Sequence, residues 1–550
     1  MLAKKGVWGM KPALSLVPNP ELIFGIVAPI GVDLDMVTEQ LIAKLREMEY
    51  ATNELRLTKL MRELPIRQPI CDTPYVQSYK DRISFANEAR KRYGDDALAA
   101  LAISAVRAYR AQIHETEPVE SGTPEDAGET PEERPVPGRA YVIRQLKRPE
   151  EVALLRSVYG RQFIQISAFS PERSRIKRIE SQERSSRGGL VSEVDAHNIA
   201  FEIVSQDAKE NLDDHGQRVR DAFPLGDVFI DASTSKACSL SLDRFVKLLF
   251  GSNEIGPTRD EYGMYMAKSA SLRSLDLSRQ VGAAVFRSSG EIITMGCNEV
   301  PKAGGGTYWS GDDRDQRDIV DGSDPNERRK TEVLVDVIDR LKRSGFLSEE
   351  IAQEGDAYQI TKKLLENRNP ESVSESKVMD LLEFGRIIHA EMSALTDAAR
   401  KGLSVQNATL YCTTFPCHMC AKHIVASGIA RVVYLEPYPK SFAAELHGDS
   451  IQVEDNSSPE KIVFEPFVGI APFRYRDLFE KGKRKYSGGL AQRWNRGERR
   501  PMVDVFFPAY FIAETQVAAE FDRLLQVDET KSLSDDQEAL STEPQPETGA

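Results

Sequence analysis

Two short runs hold the side chains best suited to chemistry: "HAE" at 389–391 and "PCHMC" at 416–420. One imidazole (His389) and two thiolates (Cys417 and Cys420) supply three protein ligands for zinc and leave a fourth position for water, the pattern of a catalytic rather than a closed site. Glu391, two residues past the histidine, falls beside a water at that fourth position, where a carboxylate can move protons. Two other readings stand beside this one. Cys417 and Cys420 have the C-x-x-C spacing of a redox pair, which leaves His389 and Glu391 without a role. A closed structural site would recruit His418 or His423 as a fourth ligand.

The surrounding pattern says which elements must carry these residues. "RIIHAEMSAL" reads as the opening of a helix, "ATLYCTTF" (408–415) as a strand, "PCHMCAKHIVASG" as a second helix and "ARVVYLEPY" as a further strand. Pro416 suits the first position of that second helix, where no N–H is needed, and the positive helix end favours thiolates. Upstream, "RDEYGMYMAKSASLRSLDLSRQ" has the look of an amphipathic helix, and "VGAAVFRSSGEIITMGCN" of two strands joined by a turn at Arg-Ser-Ser-Gly. A long polar and helical insertion (302–380) separates these strands from His389.

The remainder of the chain sets the frame. At 550 residues it exceeds a single core, and two or three domains are expected. The net charge of −13 argues against broad nucleic-acid binding. With no run of eighteen apolar residues, no continuous apolar segment near residue 1 and four scattered cysteines (Cys71, Cys238, Cys297, Cys412), a cytoplasmic protein is expected. Residues 21–250 alternate strands and helices, which predicts an α/β domain with a parallel sheet over 1–250. An acidic Pro/Glu/Gly/Thr-rich loop (115–140) interrupts it, and 527–550 reads as a disordered tail. Residues 251–526 form the second domain, with a C-terminal extension over 456–526. At "GIVAPIGVDLD" a strand runs through glycines into a helix, so Gly25, Ala28, Pro29, Ile30, Gly31, Val32 and Asp33 are candidates for nucleotide binding by backbone amides. No lysine is present there to reach β and γ phosphates. The run 481–500, with eight basic residues and one acidic, suits RNA or phosphate, or equally a solvated face.

The wider N-terminal region resembles the deoxynucleoside monophosphate kinase branch of P-loop proteins, through "KRPEEVALLRSVYG" and "DAKENLDDHGQ", with the catalytic lysine missing. Residues 258–440 resemble the cytidine and deoxycytidylate deaminase family, and within it the deoxycytidylate branch, on "RQVGAAV", "GCNEVP", the His-Ala-Glu motif and "TTFPCHMC". H-x-E…P-C-x-x-C is the known signature of zinc deaminases. The resemblance implies a cytidine-deaminase-like α/β/α domain holding Zn2+, with Glu391 as proton shuttle. It also implies Asn298 on the deoxyribose 3′-hydroxyl, Phe415 against the base and Lys302 near phosphate, although Glu299 replaces a glycine of the branch's loop. Over its full length the chain resembles bacterial anti-phage deoxycytidylate deaminases, which implies conversion of dCTP to dUTP, and of dCMP to dUMP, during phage defence. The partners implied are dCTP or dCMP, a small regulatory RNA, a regulatory nucleotide at the N-terminal domain and further copies of the chain. A polynucleotide cytidine deaminase and a catalytically inactive nucleotide sensor are the alternative readings.

Overall fold

The computed structural model describes residues 17, 19–116, 130–207, 215–367, 372–438, 440–454, 457–482, 484–494, 500–505 and 510–541. The chain divides into two compact units. One comprises residues 1–256 with 468–550, and the other residues 257–467. No helix among the described residues is long and apolar enough to cross a membrane.

The first unit is built on five parallel strands: β1 (Leu22–Val27), β2 (Ala51–Arg56), β3 (Arg139–Leu146), β4 (Phe163–Phe169) and β5 (Val228–Asp231). They lie in the order β5-β4-β1-β3-β2, with a short antiparallel strand, Gly469–Ile470, on the β5 edge. Every residue of β1, "LIFGIV", is buried, as expected of a central strand covered on both faces. Alternation divides its side chains. Leu22, Phe24 and Ile26 join the core beneath α1 (Leu34–Glu47) and a later helix, Ser235–Leu249, while Ile23 and Val27 join the opposite core. That opposite core is covered by α2 (Tyr75–Tyr93), α3 (Ala97–Thr116) and α4 (Pro149–Tyr159), giving three α/β/α layers. Gly25 leaves room for its neighbours: a Cβ there would lie 2.6 Å from Leu146 Cδ1 and 2.8 Å from the Phe163 ring, so both side chains would have to shift.

The C-terminal segment departs from the sequence-based division, which put 456–526 with the second domain. Beyond residue 467 the chain packs into the first unit. Val503 and Val505 enter the core beneath α1, and Tyr510, Phe511 and Phe521 of the helix Tyr510–Ser541 enter the core with α2 and α3. The expected tail from 527 is also helical as far as 541, and 542–550 lie outside the described residues, as do 117–129 of the acidic loop expected at 115–140. The helix is tied down by a buried cluster. Arg110 donates to Glu21 at 3.0–3.1 Å and to Glu514 at 2.8–3.0 Å, and Tyr510 Oη donates to Glu21 at 2.7 Å.

The second unit is a six-stranded mixed sheet. β6 (Gly282–Phe286) and β7 (Ile292–Cys297) form the expected hairpin. β8 (Thr409–Thr414) pairs antiparallel with β6, and β9 (Arg431–Glu436), β11 (Ile462–Pro466) and β10 (Ile451–Val453) continue in parallel. The helix Arg259–Ser271 covers one face, with Gly263 leaving room for the Tyr411 ring. Ala390–Arg400 and His418–Ala426 cover the other, with Ala390, Ala394, Cys420 and Ile424 buried against Ala283, Val285 and Leu410. Gly296 of β7 permits a close approach to the helix after His389: a Cβ there would sit 2.3 Å from the Ala390 carbonyl oxygen. The insertion folds as Pro325–Arg343 against Ala357–Glu366 around Leu334, Ile338 and Ile360.

Candidate active site

His389 and Cys417 occupy equivalent places, each capping the N-terminus of a helix that lies on the same face of the second sheet. The first helix is brought into position by its own entry segment. Ile388 and Glu299 exchange backbone hydrogen bonds at 3.2 and 3.3 Å, so the chain leaves a β-bridge immediately before His389. The second helix begins where β8 ends, and Ala421 N–H donates to the Cys417 carbonyl to close its first turn. Pro416 stands one residue before the cap instead of at the first helical position. With both helix N-termini converging, positive helix ends face the point between the three side chains.

His389 Nδ1 lies 3.3 Å from Cys417 Sγ and 3.4 Å from Cys420 Sγ. Among the described residues these three form a compact donor group, with all ligand atoms within 4.8 Å of one another. One nitrogen and two sulfurs at this spacing suit a borderline-soft ion such as zinc. The hydrogen bond from Cys420, together with His389, holds the Cys417 thiol down to about 4 despite its burial. The same contact with Cys417 raises His389 to about 9. Neither His418 nor His423 joins the group. His418 packs edge-on against Phe442 at 5.8 Å and His423 is exposed, so no fourth side chain closes the site among the described residues.

His389 and Cys417 line a cavity of about 310 Å3. Glu391 lines it and is only 4% exposed. Burial pushes its carboxyl above the usual range, the condition that suits a group passing a proton back and forth. Phe415 lines the cavity and is braced edge-on by Tyr434 at 4.9 Å and by the tilted ring of Phe464 at 5.6 Å. Asn298 is present as expected, with its amide engaged. Oδ1 accepts from Val281 N–H at 2.7 Å, and Nδ2 donates to Asp276 at 2.5 Å and to the Arg279 carbonyl at 2.7 Å. It fixes the 276–281 loop that forms one rim.

Lys302 does not reach this cavity. The Gly-rich turn after it carries it to Asp312, 2.9 Å away, outside the lining. The cations that do line the cavity are Arg279 and Lys440, which sequence reasoning missed. Arg279 lies 5.7 Å from the centre of the Tyr438 ring, and Lys440 is paired with Asp380. Asp380 comes from the end of the insertion, a wall that no local motif announces. Glu299, where the branch pattern has glycine, is buried. It accepts from Leu275 N–H at 3.1 Å and Val300 N–H at 3.0 Å, with Arg317 at 3.7 Å.

The proposed phosphate loop of the first unit has a different construction from a phosphate cradle. Asp33 caps its own helix, accepting from Met36 N–H at 3.1 Å, and pairs with Arg178. Lys147 donates to the Ala28 carbonyl and Arg175 to that of Ile30, while Arg175 packs where a Gly31 Cβ would go. Gly25 is inside β1. Pro29 and Val32 close a turn through a 3.4 Å backbone hydrogen bond.

Residues 257–436 match the family model for the cytidine and deoxycytidylate deaminase zinc-binding region. Similar proteins include the deoxycytidylate deaminase of Enterobacteria phage T2, 52% identical over 54 residues (10% of this chain, 29% of that protein). The ComE operon protein 2 of Bacillus subtilis is 38% identical over 80 residues (14% and 42%). The chain therefore spans less than half the length of these curated relatives. A solved dCMP deaminase from the cyanophage S-TIM5, in complex with dCMP and dUMP, aligns over 38% of this chain and 98% of its own with 18% identity and a TM-score of 0.21.

Proposed function

We propose that the second unit hydrolyses the exocyclic amine of a deoxycytidine nucleotide, converting dCTP to dUTP and dCMP to dUMP with release of ammonia. The observation that carries this reading is Glu391 buried in the cavity lining beside a three-ligand donor set that no fourth side chain closes among the described residues. His389, Cys417 and Cys420 would hold zinc, which supplies Lewis acidity and lowers the pKa of a bound water toward ~7. Glu391 takes a proton from the attacking water and delivers one to ring N3 as C4 is attacked. It then carries the proton of the new C4 hydroxyl to the amine, which leaves as ammonia as the C4–N bond breaks and the C4 carbonyl forms. Phe415 and Thr414 bound the base and keep bulk water out, while Arg279 and Lys440 supply positive charge for the 5′-phosphate end. The Asn298 carboxamide acts mainly through the loop it holds.

The kinase resemblance of the first unit, without a lysine in 28–33, supports a regulatory part and no phosphoryl transfer. We assign the whole chain to phage defence by depletion of deoxycytidine nucleotides, restrained before infection by a small RNA or a nucleotide and acting as a homo-oligomer. The test of the catalytic reading is ammonia release from dCTP and dCMP by purified protein, abolished by chelation and restored by zinc. Turnover that survives complete zinc removal would contradict it.

A further inference from the structure

The wall that the insertion gives to the active-site cavity carries a carboxylate where a nucleotide's phosphate should arrive. Met379, Asp380 and Leu382 line the cavity, and Asp380 forms an ion pair with Lys440. We infer that Asp380 is a specificity residue: it occupies Lys440 until a substrate phosphate takes its place, and so reduces the preference for nucleotides over the free nucleoside. The inference rests on the deaminase reading above, with the phosphate end at Arg279 and Lys440.

The charges of the lining are the first reason. Apart from the donor set and Glu391, the lining holds two cations, Arg279 and Lys440, and two carboxylates, Asp276 and Asp380. The carboxylates are used differently. Asp276 commits both oxygens to its own loop: one accepts from Asn298 Nδ2 at 2.5 Å, the other from Ser278 N–H at 3.0 Å and Ser278 Oγ at 3.2 Å. Among the described residues, the Asp380 carboxylate has Lys440 as its partner and no other. Arg279 forms no ion pair among the described residues and lies against the Tyr438 ring. An arriving phosphate therefore meets one unpaired cation and one already neutralised.

The second reason is which partner can move. The backbone on either side of Asp380 is fastened to the insertion. Lys330 Nζ donates to the Met379 carbonyl at 2.7 Å and Asn326 Nδ2 to the Leu381 carbonyl at 2.9 Å, while Asn326 Oδ1 accepts from Phe384 N–H at 3.2 Å. Lys330 is only 4% exposed, and its helix is anchored through Leu334 and Ile338 against Ile360. Asp380 is thus held in place. Lys440 lies on the chain beyond β9, and its flexible side chain is 59% exposed, so the exchange is a swing of the lysine while the wall stands still. An ion pair this open to water is weak, and a phosphate, with more charge and more acceptor oxygens than a carboxylate, displaces it. The exchange leaves Asp380 without its counter-ion and beside an anion, a penalty that falls on nucleotides and spares deoxycytidine.

The test compares zinc-loaded full-length wild type with Asp380→Asn, which keeps the size of the side chain and an acceptor oxygen and loses the charge. KM for dCMP should fall by at least about threefold while KM for deoxycytidine and kcat for both stay unchanged, and added salt should shrink the difference. Asp380→Ser, which removes the same charge with a smaller side chain, should move dCMP in the same direction. Calorimetry with the products dUMP and deoxyuridine reads the contrast without turnover: dUMP should bind more tightly to Asp380→Asn, and deoxyuridine equally to both proteins. Tighter dUMP binding with no turnover of any substrate by wild type would sink the catalytic reading and leave the contest for Lys440 standing. Unchanged dCMP and dUMP affinities would overturn the inference. So would weaker ones, which would make Asp380 a residue that positions Lys440 for phosphate. A loss shared equally by nucleotide and nucleoside would also overturn it, since Asp380 would then only prop the wall.

Discussion

At the scale of residues, the proposed reaction divides its work between Glu391 and the three donors, and substitutions should separate them. Glu391→Ala removes the proton carrier but no ligand. It should keep its zinc and its fold while turnover falls by at least ~100-fold, the usual worth of a placed acid–base group; metal analysis beside a steady-state rate checks this. Cys417→Ala or Cys420→Ala should lose metal and activity together, because two remaining ligands cannot hold zinc in an open site. A Cys420→Ala protein with full zinc content would require a different donor set. These four residues were legible in the sequence because H-x-E and C-x-x-C are local spacings on helix starts. Lys302 misled because a positive charge near Gly304, Gly305 and Gly306 suggested a phosphate nest, while all three glycines with φ near +77 to +96° instead turn the chain toward Asp312. Arg279 and Lys440 left no signal, since only the fold brings 279 and 440 to one rim.

At the scale of elements, two close contacts decide whether the site and its scaffold form. Gly296→Val would drive a side chain into the Ala390 carbonyl, displacing the helix that carries Glu391. The expected result is a large loss of turnover with a lowered melting temperature, while the conservative Ile292→Val, at a partly exposed position in the same strand, should change little. The buried Arg110–Glu21–Glu514 cluster makes the second prediction. Glu514→Ala leaves a fully buried guanidinium with one of its two carboxylates, and breaking buried ion clusters costs about 3–5 kcal/mol. Denaturant unfolding should show that loss in the first unit. Replacing the cluster by packed apolar residues is a different experiment and need not destabilise. The strand–helix alternation of the first unit was readable from apolar runs such as "LIFGIV", whereas the return of 468–541 was not. Val503, Val505, Tyr510 and Phe511 pack into cores whose parallel strands lie over 250 residues away in sequence, and no periodicity encodes that pairing.

At the scale of the whole molecule, the residues assigned to catalysis all fall within 257–467, a unit with its own sheet and core. That fragment, and not 251–526, is the natural catalytic piece, and it should bind zinc and deaminate when produced alone. A folded, zinc-bound but inactive fragment would give the first unit a direct part in the chemistry. Regulation through the first unit predicts the opposite sense of change: the fragment escapes whatever restrains the full chain. The central claim is that the cavity acts on free deoxycytidine nucleotides. It is tested most directly by incubating the zinc-loaded full-length protein in parallel with dCTP, dCMP, deoxycytidine and a cytosine-containing single-stranded oligonucleotide, and following uracil formation in each. The account predicts uracil from dCTP and dCMP, with deoxycytidine a poorer substrate for want of a phosphate. Uracil only in the oligonucleotide, or in none of the four, would contradict it.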